Sequence, residues 1–414
     1  MSTPAVVADE PCITLHRVMI KDRGGERHVD ELRDITQLVW NRERSKTSRA
    51  EIIVSGAACQ SQRDLLNDIA DATHRYEVVI YRGNDRVWEG PIIQTETGAS
   101  IAVIVAHDGK EYWDNTPLSQ DWPISTGATG GPSDPVPMTN RIETIIEWEL
   151  TTDYQARIGT GSSAEVVTIP RWEQLDPPIN MLLHLDVRHS PTLYTRSDTV
   201  AFQMQLGEHL DALSEGNLDY CVIGRRVVIW DSAYAIGRTR TLTESDFYGD
   251  VRVIAAGTDH SIIGHVSATR PDNPDSDGRP LPPVGPGVVR GVGNAGRADD
   301  YYGVWTRLTS SNEEEGGEEP TQDELNSQAS RTIAGRTPVP VEIRIPDGAG
   351  IRLGPDLSIQ HLVPGVIMPV LANLNIRRIA QDQRLDSVRV TETPAGEQIN
   401  VSLTSAGPAM EVAP

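Results

Sequence analysis

Tyr76 to Pro91 read YEVVIYRGNDRVWEGP, two runs of β-branched and aromatic residues folded back about Gly83-Asn84-Asp85. Residues of this kind on either side of a glycine-containing turn spell a β-hairpin. The segment therefore reads as two paired strands of a sheet.

Working outward, the first hundred residues keep the same texture. Ile13 to Ile20 (ITLHRVMI), Ala50 to Ser55 (AEIIVS), Val87 to Gln94 and Ile101 to Ala106 (IAVIVA) are short strand-like runs separated by turn signals. Between the second run and the hairpin lies one predicted helix, opened by a capping-box-like Ser61/Asp64 pair. Leu65, Leu66, Ile69 and Ala72 give it a single apolar stripe to lay on a sheet. Strands, helix, hairpin and strand make a compact barrel or sandwich spanning 1–115. The proline- and glycine-rich run 116–139 reads as a linker or surface loop.

The middle of the chain, 140–241, reads as α+β. Ser197 or Asp198 is expected to cap a helix carrying Phe202, Leu206, Leu210 and Leu213, which Gly216-Asn217 stops. LDYCVI (218–223), the turn Gly224-Arg225 and RVVIW (226–230) follow as a second hairpin. From 242 to 414 strands return at 251–256, 262–268, 304–309, 339–345, 366–371, 385–392 and 398–404. A Pro/Asp/Gly-rich loop interrupts them at 270–287. A helix from the Thr321/Glu324 capping box through Leu325, Ala329 and Ile333 to Gly335 repeats the strand, helix, hairpin order of the first third. The fold class is therefore mainly β with an α+β middle region.

With 414 residues the chain is long enough for two to four domains, and 35 glycines and 28 prolines imply many turns. Only Phe202 and Phe247 are phenylalanine, so tryptophan and tyrosine supply almost all the aromatic area. A formal net charge of −22 opposes nucleic-acid phosphate and argues against dedicated DNA binding. The same acidity would suit the wall of a DNA conduit, which gains by repelling its cargo. MSTPAVVADEPC lacks the basic-then-apolar signature of a signal peptide, so cytoplasmic synthesis is expected, with no membrane insertion.

Candidate chemistry is sparse. Gly291-Val292-Gly293-Asn294-Ala295-Gly296 spells G-x-G-x-x-G, but no buried strand precedes it and Arg297 to Tyr302 make a poor helix start, so a glycine turn is expected. His184, Asp186 and His189 invite a metal, yet strand alternation sends His189 to the opposite face. The acid run Glu313 to Glu319 reads as a solvated loop. Cys12, Cys59 and Cys221 each lie in or beside an apolar run without zinc or nucleophile context, and read as small buried hydrophobes. No catalytic residue, cofactor or metal is expected.

Several segments, taken in order, resemble the minor tail proteins of siphoviral actinobacteriophages that have a tail-hub fold. They are RGNDRVWEGP (82–91), EGNLDYCVIGRRVVIW (215–230), LTESDFYG (242–249), VRVIAAG (251–257) and RTPVPVEIRIPD (336–347). The strongest is NIRRIAQDQRLDSVRVTETPAGEQINVSL (375–403). The proline-rich segments carry no such signal. The resemblance implies a multi-domain tail-hub architecture with two similar β-barrel domains, 1–115 and 242–414. It further implies a homotrimeric virion protein at the tail tip, where two barrels per copy form a pseudo-sixfold ring on the hexameric distal tail protein. Implied partners are that ring, the C-terminus of the tape measure protein and other minor tail proteins. Interface candidates are Trp88, Trp230, Tyr301, Tyr302, Trp305, Arg377 and Arg378. Two alternatives stay open: a tip protein that binds the host envelope, and a cell-wall hydrolase with an unrecognised site.

Overall fold

The computed structural model describes residues 12–56, 61–98, 101–122, 136–158, 165–180, 184–192, 201–214, 218–255, 263–267, 287–290, 306–310, 341–346, 348–374 and 377–406. The N-terminal region contains β1 (His16–Asp22), β2 (His28–Leu32), β3 (Ile35–Glu43), β4 (Arg49–Ser55), α1 (Arg63–Asp71), β5 (Tyr76–Arg82), β6 (Asp85–Thr97), β7 (Ile101–His107) and α2 (Lys110–Asp114). Its strands run antiparallel in the order β2-β1-β5-β6-β7-β4-β3. The 76–91 hairpin forms as read, with Gly83 at φ +61° in the turn.

β6 is 13 residues long because it serves two partners. Asp85 to Pro91 pair with β5 and Ile92 to Thr97 with β7. Gly90 sits just before the changeover, where a Cβ would overlap the His107 carbonyl oxygen. The alternation reading passed over β2, an edge strand in which only Leu32 is buried, and β3, whose inward row ends in a buried arginine.

α1 lays Leu66 and Ile69 on the sheet as expected, but its cap differs. Gln62, not Ser61, is the N-cap residue, and no side chain caps the helix. The Gln62 amide instead accepts from Arg33 N at 2.9 Å and donates to the Glu31 carbonyl at 2.7 Å, tying the helix start to β2.

The middle region comprises α3 (Met138–Thr151), the ribbon β8 (Tyr154–Ile158) and β9 (Glu165–Ile169), β10 (Leu185–Val187), α4 (Leu206–Ser214), β11 (Leu218–Ile223) and β12 (Arg226–Asp231). β10, β12 and β11 form a three-stranded sheet. Ile142, Ile145, Ile146 and Leu150 of α3 and Leu206, Leu210 and Leu213 of α4 cover it, making a second apolar core. Two expectations are corrected here. The second helix begins at Leu206, and Phe202 lies outside it with φ +58°. Within the expected linker 116–139, Thr116, Leu118 and Trp122 are buried and α3 starts at Met138. The proline-rich composition hid apolar residues that the middle core claims. Ser197 and Asp198 lie outside the described residues.

The C-terminal region holds β13 (Phe247–Tyr248), β14 (Arg252–Ala255), β15 (Ile263–Ser267), β16 (Gly287–Arg290), β17 (Thr306–Ser310), β18 (Val341–Arg344), β19 (Gly350–Ile351), β20 (Ile367–Leu374), β21 (Arg377–Thr393) and β22 (Gly396–Ser405). β15, β16 and β17 form a small sheet of their own. The 17-residue β21 repeats the device of β6: its first half pairs with β20, and β22 takes over from Gln383 onward. Thus β5-β6-β7 and β20-β21-β22 are two meanders, each with a long shared middle strand. The G-x-G-x-x-G run, the acid run and the helix expected from Thr321 lie outside the described residues.

Ser387 to Glu392 of β21 also pair with Glu43 to Leu38 of β3, joining both ends of the chain in one 12-stranded sheet. One apolar core follows, from Val18 and Trp40 to Val390 and Leu403. The protein is mainly β. The N- and C-terminal regions, 1–115 and 242–414, therefore share a hydrogen-bonded seam. Among the described residues no helix is long and apolar enough to cross a membrane.

Candidate functional site: a charged junction of three chain segments

The turn of the β11–β12 hairpin, with Gly224 at φ +58°, aims Arg225 at the outer face of β5 and β6. Arg225 Nε donates to Glu89 Oε1 at 2.6 Å and Nη2 to Glu77 Oε2 at 2.5 Å. Glu77 also accepts from Gly24 N at 2.9 Å and from the Tyr112 hydroxyl at 2.5 Å, while Arg86 pairs with Glu89. Both glutamates are buried, at 0% and 1% exposure. Burial raises the Glu77 pKa above the usual carboxylate value, and Arg225 and the tyrosine bond only partly offset it. Burial alone would lower the Arg225 pKa, but the two carboxylates outweigh it and hold the guanidinium charged. Burial and the Glu77 charge push the Tyr112 hydroxyl well up.

A second knot ties all three segments. Arg44, between β3 and β4, donates from Nη1 to Asp219 Oδ1 and from Nε to Asp386 Oδ1, both at 2.8 Å. Ser45, at φ +55°, adds its hydroxyl to Asp219 at 3.0 Å and its N–H to the Tyr220 carbonyl at 2.8 Å. Burial raises the Asp219 pKa against the pull of Arg44 and Arg384. Arg384 is lowered by burial and by the neighbouring Arg44 charge.

Three further contacts complete the junction. Lys110 Nζ donates to Asp114 Oδ1 at 2.5 Å and Asp211 Oδ2 at 3.1 Å, and Gly207 lets α4 approach because a Cβ there would overlap the Asp114 carboxylate. Arg42, fully buried, donates to the carbonyls of Val87, Leu362 and Ile359 at 2.6, 3.0 and 3.2 Å, and burial lowers its pKa to about 10. Glu392 accepts the backbone N–H groups of Thr14, Leu15 and His16 and the His16 ring Nδ1 at 2.6 Å, fastening β1 to β21.

Each of these carboxylates is already engaged by a cation or by N–H donors. Among the described residues no group of three His, Cys, Asp or Glu is placed to hold a metal ion. Asp186 is taken by Arg188 and Arg226, and His189 by Asn140. Cys221 is buried, its thiol pushed up to about 12 chiefly by burial. Cys12 is half-buried, and Cys59 lies outside the described residues.

The interface candidates separate. Trp88 and Trp230 are 1% and 0% exposed, so neither offers a partner any surface in this fold. Trp88 belongs to the sheet core, and Trp230 packs on Gly365, where a Cβ would overlap its ring, so it joins the middle region to the C-terminal region of the same chain. Arg378 is exposed on β21. Tyr301, Tyr302 and Trp305 lie outside the described residues, and Arg377 opens β21. The residues that build the junction were missed, although one signal was present. Glu77 in YEVVIY and Asp219 in LDYCVI are single acids inside apolar runs, a pattern that asks for a buried cation.

No family model and no curated protein matches the sequence. Solved structures do match in fold. The 43 kDa tail protein of prophage MuSo2 from Shewanella oneidensis aligns at TM-score 0.52 and 11% identity, over 94% of this chain and 98% of that one. Prophage tail protein gp18 from Listeria monocytogenes aligns at 0.51 and 10% identity, over 95% of each chain. The tail protein from Neisseria meningitidis aligns at 0.53 and 8% identity, over 97% and 99%. At these identities the likeness is one of fold, end to end.

Proposed function

We propose that this chain is a structural protein of a bacteriophage virion, a trimeric tail-tip hub of the kind found in siphoviruses of actinobacteria. The observation that carries the reading is the shared fold with phage tail proteins over 94–97% of this chain. Two meanders with long shared strands, β5-β6-β7 and β20-β21-β22, suit a protomer that presents two similar barrels. Three copies would then present six, matching the hexameric ring of the distal tail protein. The chain caps the tail tube, adapts its symmetry, and docks the tape measure C-terminus and other tip proteins, without turnover of any substrate. Tyr301, Tyr302, Trp305, Arg377 and the exposed Arg378 are the proposed intersubunit or partner contacts. The buried junction serves this role by holding three distant segments as one body under load.

Light scattering on the purified chain, with and without the distal tail protein, tests the reading. A trimer, or a monomer that becomes trimeric on the partner ring, is expected. A monomer indifferent to tail proteins would remove the adaptor role and leave envelope binding as the better account.

A further inference from the structure

Phe202 is one of two phenylalanines in the chain, and 56% of it is exposed. Its φ of +58° is a left-handed conformation that bulky residues rarely adopt. Such outliers collect at binding sites, where surrounding structure holds them. Here Phe202 N donates to the Leu118 carbonyl and Ala201 N to Asp121 Oδ1, both at 2.8 Å. The Tyr154 ring lies beneath, its centroid 5.4 Å from that of Phe202 and tilted by 54°. Under Tyr154 lies Arg171, its guanidinium carbon 4.5 Å from the ring centroid. Arg171 is in turn fixed by the buried Glu149 and by the carbonyls of Thr152 and Pro117 at 3.0 and 3.2 Å. A chain of contacts therefore runs from the buried Glu149 through Arg171 and Tyr154 to the open ring of Phe202.

The carboxylate tied to this spot is Asp121, which is exposed and bonded to the residue before Phe202, while the Arg171 charge is met by Glu149, and Asp153 accepts from Arg171 N at 3.3 Å. An aromatic face beside a carboxylate recognises a cation. Arginine fits better than lysine, because a planar guanidinium can lie on the ring and still donate to a carboxylate. The chain already makes this contact internally, with Arg171 on Tyr154.

The geometry points to the Phe202 ledge as a docking site for an arginine-bearing segment of another protein, the guanidinium stacked on Phe202 and donating to Asp121. The ledge plays this role whether or not the chain trimerises.

Fluorescence anisotropy with a labelled Gly-Arg-Gly-Arg-Gly peptide and its lysine counterpart, at low ionic strength on the full chain, tests it. F202G removes the ring while suiting the positive φ, so the backbone is left unstrained. It should weaken the arginine peptide roughly two- to fivefold, the range of an exposed cation–π contact, and F202W should strengthen it. D121N should weaken binding, while D250N, the same charge change at an exposed aspartate elsewhere, should not match it. Equal binding by F202G and wild type would overturn the proposal and leave only diffuse attraction to an acidic protein. An N-acetylglucosamine oligomer whose binding is lost in F202G, with the arginine peptide unaffected, would overturn it in favour of a sugar platform.

Discussion

Replacing Arg225 with alanine leaves Glu77 and Glu89 facing each other with their shared cation gone. Both carboxylates are at most 1% exposed, and the Arg225 side chain is itself 11% exposed, so water cannot simply take its place. Breaking a buried pair from one side costs about 3–5 kcal/mol. The folded protein can escape some of that penalty by protonating Glu77, whose pKa burial already raises. Without Arg225 that pKa climbs further, and the unfolded chain, with an ordinary glutamate, binds fewer protons over the same window. Stability of R225A relative to wild type therefore improves as pH falls. The deficit thus shrinks as pH falls from about 7.5 to about 5.5, by at most about 1.4 kcal/mol per pH unit for one carboxylate. Urea denaturation at the two pH values reads this as a midpoint gap that narrows in acid. The triple change E77Q/E89Q/R225M, which removes all three charges, should restore most of the loss at the higher pH. A deficit under about 1 kcal/mol at pH 7.5, or one of the same size at both pH values, would refute the view that buried electrostatics hold the middle hairpin to the sheet.

Two further outcomes follow from the packing and from a buried acid. Gly365→Ala should lower stability by roughly 1–3 kcal/mol, because its φ is +96° and the new Cβ would meet the Trp230 ring; a denaturation midpoint equal to wild type would contradict that packing. Asp108 is buried and accepts from Ser48 N at 2.7 Å and Lys110 N at 3.0 Å, yet burial still raises its pKa to about 6. The folded state thus binds the extra proton, and up to about 3 kcal/mol of stability is lost as pH rises from about 4 to 6. Asp108→Asn should flatten that stretch of the pH–stability curve, and an unchanged slope would count against the assignment.

The hairpins at 76–91, 218–231 and 385–404 were legible because their signal is local. β-branched runs on either side of Gly83, Gly224 or Gly396 determine a strand pair without reference to anything distant. The apolar stripe of α1 was legible for the same reason, while its cap was not, since Gln62 takes its partners from β2. Leu118 and Trp122 were masked by neighbouring prolines, and Phe202 fits helical spacing with Leu206 although its backbone turns the other way.

Sequence by itself determined that this is an acidic, mainly β protein with an α+β middle, and where most of its strands fall. Only the tertiary structure decided which strands share a sheet, that Trp88 and Trp230 face inward, and which acids meet which bases. Arg225 finds Glu77 across 148 residues, and Arg44 finds Asp386 across 342. The physical reason is range. Strand and turn preferences act between neighbours in the chain, whereas a buried ion pair exists only after folding has removed water from two distant segments at once.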